Sequence, residues 1–106
     1  MRSLESVVDR NEKDIIGLVF SDFVDARVLA AGVAETHSVP TGAKYVLFSS
    51  DQDFYVKVNG TAAVPSDDVT AGTASILNPG LRSLDRVITF GLISSVDCII
   101  TMEFYS

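Results

Sequence analysis

The side chains that chemistry would draw on in this 106-residue chain are one histidine, one cysteine and fourteen acids. His37 beside a carboxylate and an exposed serine would make a nucleophilic triad. Standing on a strand just ahead of the Pro40 turn, it also reads as an ordinary polar residue, and the composition favours that plainer role. Asp51-Gln52-Asp53 and Asp67-Asp68 place carboxylates in loops, the oxygen-rich setting that calcium uses. Neither follows the spacing of an EF-hand loop, and an aspartate at a turn bonds its own backbone without an ion. A structural zinc site wants four Cys or His ligands, more than this composition holds. Acids are numerous enough for a glycosidase pair. The chain has no tryptophan, however, and its aromatics fall mostly at strand parity, which suits a core better than a sugar platform or a lectin-like surface. Gly60, Gly72 and Gly80 are isolated turn residues and form no phosphate loop. These residues supply no named enzymatic mechanism, and the expectation is a protein without catalysis, metal or cofactor.

The composition narrows the partners. This length suits one domain with a core large enough to fold without disulfides or metal. The apolar share is 47% and the charged share 21%. A mean hydropathy of +0.32 is high for a small domain: either the sheets are buried on both faces or apolar surface is covered by a partner, and the second is favoured. The net charge is −6, with eight basic residues scattered among the acids. Phosphate backbones and anionic membranes call for clustered Lys and Arg, so neither nucleic acid nor membrane is expected as a partner. Cys98, in the run Cys98-Ile-Ile-Thr-Met102, is expected to be a buried small hydrophobe in a chain that folds in a reducing cytoplasm. No segment reaches the length of a membrane span, and the first residues lack the apolar core of a signal peptide.

Behind these residues the chain reads as a series of short strands. Residues 1–14 are polar and suit an extended arm better than a short helix. Ile15–Phe20 has strand character, and Arg27–Ser38 reads as a strand bent at Gly32. Pro40-Thr-Gly42 is turn chemistry. Lys44–Ser49 carries apolar groups on both parities, as a strand covered on both faces would. After Ser50-Asp-Gln52, the alternation of Phe54, Val56 and Val58 with polar neighbours gives one dry face, so residues 39–58 read as a hairpin. Residues 59–85 form a long punctuated loop with space for a short β-bridge. Ile88, Phe90 and Leu92, then Cys98, Ile100, Met102 and Phe104, alternate inward around Ser94–Asp97 and read as a second hairpin, with Thr101, Glu103 and Tyr105 outward. The expected fold is all-β, a small β-sandwich or jelly-roll-like domain with an extended N-terminal arm. Residues 1–27 would hold the arm and first strand, and residues 28–106 the sandwich.

From Leu29 onward the order of residues resembles a group of small tailed-phage virion proteins. The likeness runs through Leu29-Ala-Ala-Gly-Val-Ala-Glu-Thr-His-Ser-Val-Pro-Thr-Gly-Ala-Lys-Tyr-Val-Leu-Phe-Ser49 and Asp53-Phe-Tyr-Val-Lys-Val-Asn-Gly60. It continues in Thr61-Ala-Ala-Val-Pro65, Gly72-Thr-Ala-Ser75, Asn78-Pro79, Leu81-Arg-Ser-Leu84 and Phe104-Tyr105. It covers roughly the last three-quarters of the chain, in patterns of turns and strands. Such proteins include the head-decoration, or cement, proteins. The resemblance implies a protein made in the host cytoplasm that ends on the outer capsid surface of the virion. There it would bridge and stabilise neighbouring major capsid subunits as a homo-oligomer, a trimer in preference to a dimer. Candidate contacts are Leu4, Val7, Val8, Ile15 and Ile16 in the arm, with Val64, Val69, Ile76 and Leu77 in the long loop; for each, ordinary local packing is the competing role. The alternative is a receptor- or glycan-binding module of a tail or head fibre, with the long loop as its binding site.

Overall fold

The last strand shows most directly how the sequence builds the fold. From Cys98 to Tyr105, the residues Cys98, Ile100, Met102 and Phe104 are buried, whereas Ile99 is exposed and Thr101 and Glu103 are half-exposed. A period of two in apolarity demands a strand with one dry face, and that face needs a second layer to cover it. The computed structural model describes residues 1–3, 7–8, 14–15 and 19–106. Its strands are β1 (Val7–Val8), β2 (Asp14–Ile15), β3 (Phe23–Leu29), β4 (Glu35–Ser38), β5 (Tyr45–Ser50), β6 (Tyr55–Val58), β7 (Ile76–Leu77), β8 (Leu81–Ser83), β9 (Thr89–Ile93) and β10 (Cys98–Tyr105). Among the described residues there is no helix, and so none that is long and apolar enough to cross a membrane.

Two four-stranded antiparallel sheets make the sandwich, in the orders β3-β10-β5-β8 and β4-β9-β6-β7. The pairs β3·β10, β4·β9, β5·β8 and β6·β7 are nested, each enclosing the next along the chain. The chain is thus one long antiparallel ribbon rolled up until β10 also meets β5 and β9 also meets β6. That is the topology of an eight-stranded jelly roll. β1 and β2 form a separate two-residue ladder, Val7 opposite Ile15 and Val8 opposite Asp14.

Rolling the ribbon corrects both expected hairpins. β5 and β6 follow one another in sequence but lie in different sheets, and so do β9 and β10. The reason is the placement of their dry faces. Val46 and Phe48 point inward from one sheet and Phe54 and Val56 from the other, and the Phe48 and Phe54 rings meet at 5.9 Å across the core. Side by side in a hairpin, the two dry faces would lie on the same side and still lack a cover. Residues 51–54 and 94–97 therefore form arches between the layers. Within the sandwich, the one hydrogen-bonded pair of consecutive strands is β6·β7, joined by the long loop.

Further differences follow from the same geometry. The bend at Gly32, at a φ of 72°, separates β3 and β4 into opposite sheets. β3 begins at Phe23 and runs across the 27/28 boundary. Of the strand expected over Ile15–Phe20, Ile15 lies in β2, Val19 and Phe20 are outside any strand, and residues 16–18 lie outside the described residues. β5 has one buried face, not two: Leu47 is half-exposed and Tyr45 exposed. Ile88 and Val58, expected inward, are exposed at strand ends. Tyr105 has the expected outward parity yet is buried, and its hydroxyl donates to the Val19 carbonyl at 2.6 Å. The core runs along a chain of rings in which Phe90 lies 5.2 Å from Phe48 and 6.5 Å from Phe104.

Candidate functional site

His37 and Asp25 hold the sandwich shut along one side. β3 and β4 are the edge strands of their sheets, and they face each other across the layers. The inward side chains of β3 include Asp25 and Arg27, since these residues pair with the buried Met102 and Ile100. Those of β4 are Glu35 and His37, opposite Leu92 and Phe90. The imidazole Nε2 lies 2.8 Å from Asp25 Oδ2, and Arg27 Nη2 donates to Glu35 Oε2 at 3.2 Å. The His37 ring also stacks on Phe104 at 6.3 Å. Among the described residues, no serine hydroxyl bonds this imidazole; its ring is spent on joining two layers.

The loop acids serve the backbone. Asp51 Oδ1 accepts from Ile99 N at 2.8 Å, and Asp97 Oδ1 accepts from Ala31 N at 3.0 Å. Asp53 Oδ1 accepts from Asn78 Nδ2, whose own Oδ1 accepts from Phe54 N. Together these bonds lock the four connections at one end of the roll. Asp67 and Asp68 lie away from them, along a shallow depression in the long loop. Among the described residues no three His, Cys, Asp or Glu side chains converge as a metal would require. Cys98 is buried, and that burial is the main cause that raises its thiol pKa above the ordinary 9.0. The thiolate that nucleophilic chemistry needs is disfavoured there. An apolar cleft opens between β7 and β8 at Val58, Ile76, Pro79 and Val87 and holds about 90 Å³. Small-molecule sites usually measure roughly 300–1,000 Å³, so it is too small for one.

The expected contact residues are scattered. Leu4 and Ile16 lie outside the described residues, and Val7, Val8 and Ile15 are in the β1·β2 ladder. Val64, half-buried, and Val69, exposed, line the loop depression. Ile76 turns toward the cleft, and Leu77 lies across from Tyr55 on β6.

The surface that sequence reasoning missed is the outer face of the first sheet. Val24, Ala26 and Val28 point outward from β3, where Val28 pairs with Ile99 and Val24 with Glu103 of β10. Leu47 and Leu81 lie on the same face beyond Glu103, on β5 and β8. Val28 is 76% exposed, Val24 51% and Ile99 46%. The signal was present in Phe23-Val-Asp-Ala-Arg-Val-Leu29, which alternates cleanly, but its sense is inverted. The charged parity faces in and the aliphatic parity faces out, because the opposite edge supplies Glu35 and His37 as partners. No family model, curated protein or solved structure matches the chain. The outer face must therefore be read from its own chemistry. The aliphatic strip of Val24, Ala26, Val28 and Ile99, bordered by Thr101, Glu103 and Asp51, is suited to docking on another macromolecule.

Proposed function

We propose that this protein is a phage head decoration protein, which docks on the outer capsid surface and bridges neighbouring major capsid subunits. The observation that carries the reading is the exposed aliphatic face of Val24, Ala26, Val28 and Ile99 on a jelly roll whose His37–Asp25 pair and Asp51 serve its own fold. The resemblance from Leu29 onward supplies the particle. A cement protein needs surface and copy number, not chemistry: a modest contact repeated around a shell holds collectively. Binding only the mature lattice would stabilise that lattice by linkage.

The test is sedimentation of the purified protein with shells that lack it. Saturation at a fixed ratio to the major capsid subunit is expected. Val28→Asp and Ile99→Asp should each weaken binding by about tenfold or more, the effect of losing an interface anchor worth ~1–2 kcal/mol. A folded protein that leaves shells bare would overturn the reading. Binding to cell envelopes or glycans would instead establish the fibre module, with the long loop and its depression at Val64 and Val69 as the receptor surface.

A further inference from the structure

We infer that the protein pairs with a second copy of itself through the free edge of β3, in one antiparallel register centred on Ala26. β3 ends its sheet, and among the described residues no strand pairs with its outer edge. A seven-residue edge with an aliphatic outer face is the kind that other proteins shorten, cover or charge. Here the charges stand on the inner side, and they carry the information about the partner.

In a twofold antiparallel pair centred on Ala26, each Asp25 lies directly opposite the second copy's Arg27, and each Arg27 opposite its Asp25. Phe23 lies opposite Leu29, and Val24 opposite Val28. Opposite charges facing across a strand pair favour it. Sliding the register by two residues sets Asp25 against Asp25 in one direction and Arg27 against Arg27 in the other. A slip of one residue puts inward side chains against outward ones. The strand is therefore complementary to itself in a single register, as a closed twofold interface requires.

Two observations agree with this. Asp25 and Arg27 are still 33% and 31% exposed along the open edge, after their bonds to His37 and Glu35. A guanidinium has five donors, and among the described residues Arg27 uses one on Glu35, so the second copy's carboxylate would find donors free. The pairing joins two sheets into one of eight strands and sets two aliphatic strips side by side. It makes a dimer where the resemblance suggests a trimer. It does not depend on the decoration reading, because a dimer that binds no shell would still satisfy it.

The experiment is sedimentation equilibrium of the full chain, together with disulfide trapping. A dimer is expected. Ala26→Cys, a small change at an exposed position, should cross-link into a disulfide dimer on oxidation, because residue 26 faces itself across the twofold axis. Val24→Cys and Val28→Cys alone should not, whereas the V24C/V28C double variant should. V24K/V28K should weaken the dimer by about tenfold or more, since like charges then face each other across the pair. V24K/V28E should restore it to within about threefold, since the introduced ammonium then faces the introduced carboxylate of the second copy. A monomer or a trimer overturns the proposal, as does a dimer in which A26C cross-links no faster than V24C. Shell binding is scored separately, so the two proposals fail independently.

Discussion

His37 Nε2 and Asp25 Oδ2, 2.8 Å apart, join the two sheets at the edge where the roll would otherwise open. The histidine is 13% exposed, so a partner removed from beside it is replaced poorly by water. Asp25→Ala should cost about 1–3 kcal/mol in chemical denaturation, the range for leaving a buried polar group unpaired. Asp25→Asn keeps an acceptor oxygen in place and should cost clearly less. Equal losses for the two variants would mean that the hydrogen bond is not what matters there. Both are to be compared at one protein concentration, since self-association would add to apparent stability.

Asn59 closes the opposite end of the roll. Its φ is 52°, its Oδ1 accepts from Ile88 N at 2.7 Å and Thr89 N at 3.1 Å, and its Nδ2 donates to Arg86 O at 2.9 Å. Asn59→Ala should destabilise by about 1–3 kcal/mol through lost hydrogen bonds and a strained backbone. Asn59→Gly loses the bonds but not the conformation, and should recover about 0.5–1 kcal/mol of that. Thermal melts of the three proteins would separate the two contributions.

Gly91 is needed for the absence of a side chain. A Cβ there would lie 2.5 Å from Ala62 N and closer still to the Gly60 carbonyl. The start of the long loop therefore lies directly on the outer face of β9, and its backbone has no flexible end to swing away. Gly91→Ala should displace that loop and cost about 1–3 kcal/mol, as overpacking does. A melting temperature within a degree or so of the parent would show that the loop does not rest there.

The buried Tyr105 hydroxyl predicts an alkaline limit to stability. Burial raises its pKa above the ordinary 10.0, Glu103 adds to this, and Arg2 opposes it. A group with a raised folded pKa stabilises the fold while protonated. That contribution is complete below about pH 10 and is lost as pH rises through the folded value. Cys98, raised mainly by burial from 9.0, begins the same loss earlier. Stability should fall as pH rises above about 9, and Tyr105→Phe should flatten the later part of that fall. The substitution also removes the bond to Val19 O, so it should cost about 1 kcal/mol at neutral pH.

Much of this was legible in the residues. The alternation through Cys98–Phe104 and Phe54–Val56 placed those side chains in the core, and the turn residues around Gly32, Gly42 and Asp51 placed the breaks. The candidate surface was hidden for a specific reason. In Phe23–Leu29 the parity carrying Asp25 and Arg27 is the one that a reader of sequence turns toward water. It points inward because Glu35 and His37 stand across from it, and that neighbourhood exists only once β3 and β4 sit in opposite sheets.

The sequence by itself determined an all-β chain with dry strand faces, short polar breaks and more apolar surface than one core needs. Periodicity is local, and local sterics and burial enforce it. The tertiary structure alone decided which strands pair. A break such as Ser50–Asp53 serves a hairpin or an arch equally well, and the choice depends on which distant face covers Phe48 and Phe54. The rolled ribbon answers that by setting those two rings against each other, leaving β3 at the open edge with its valines outward.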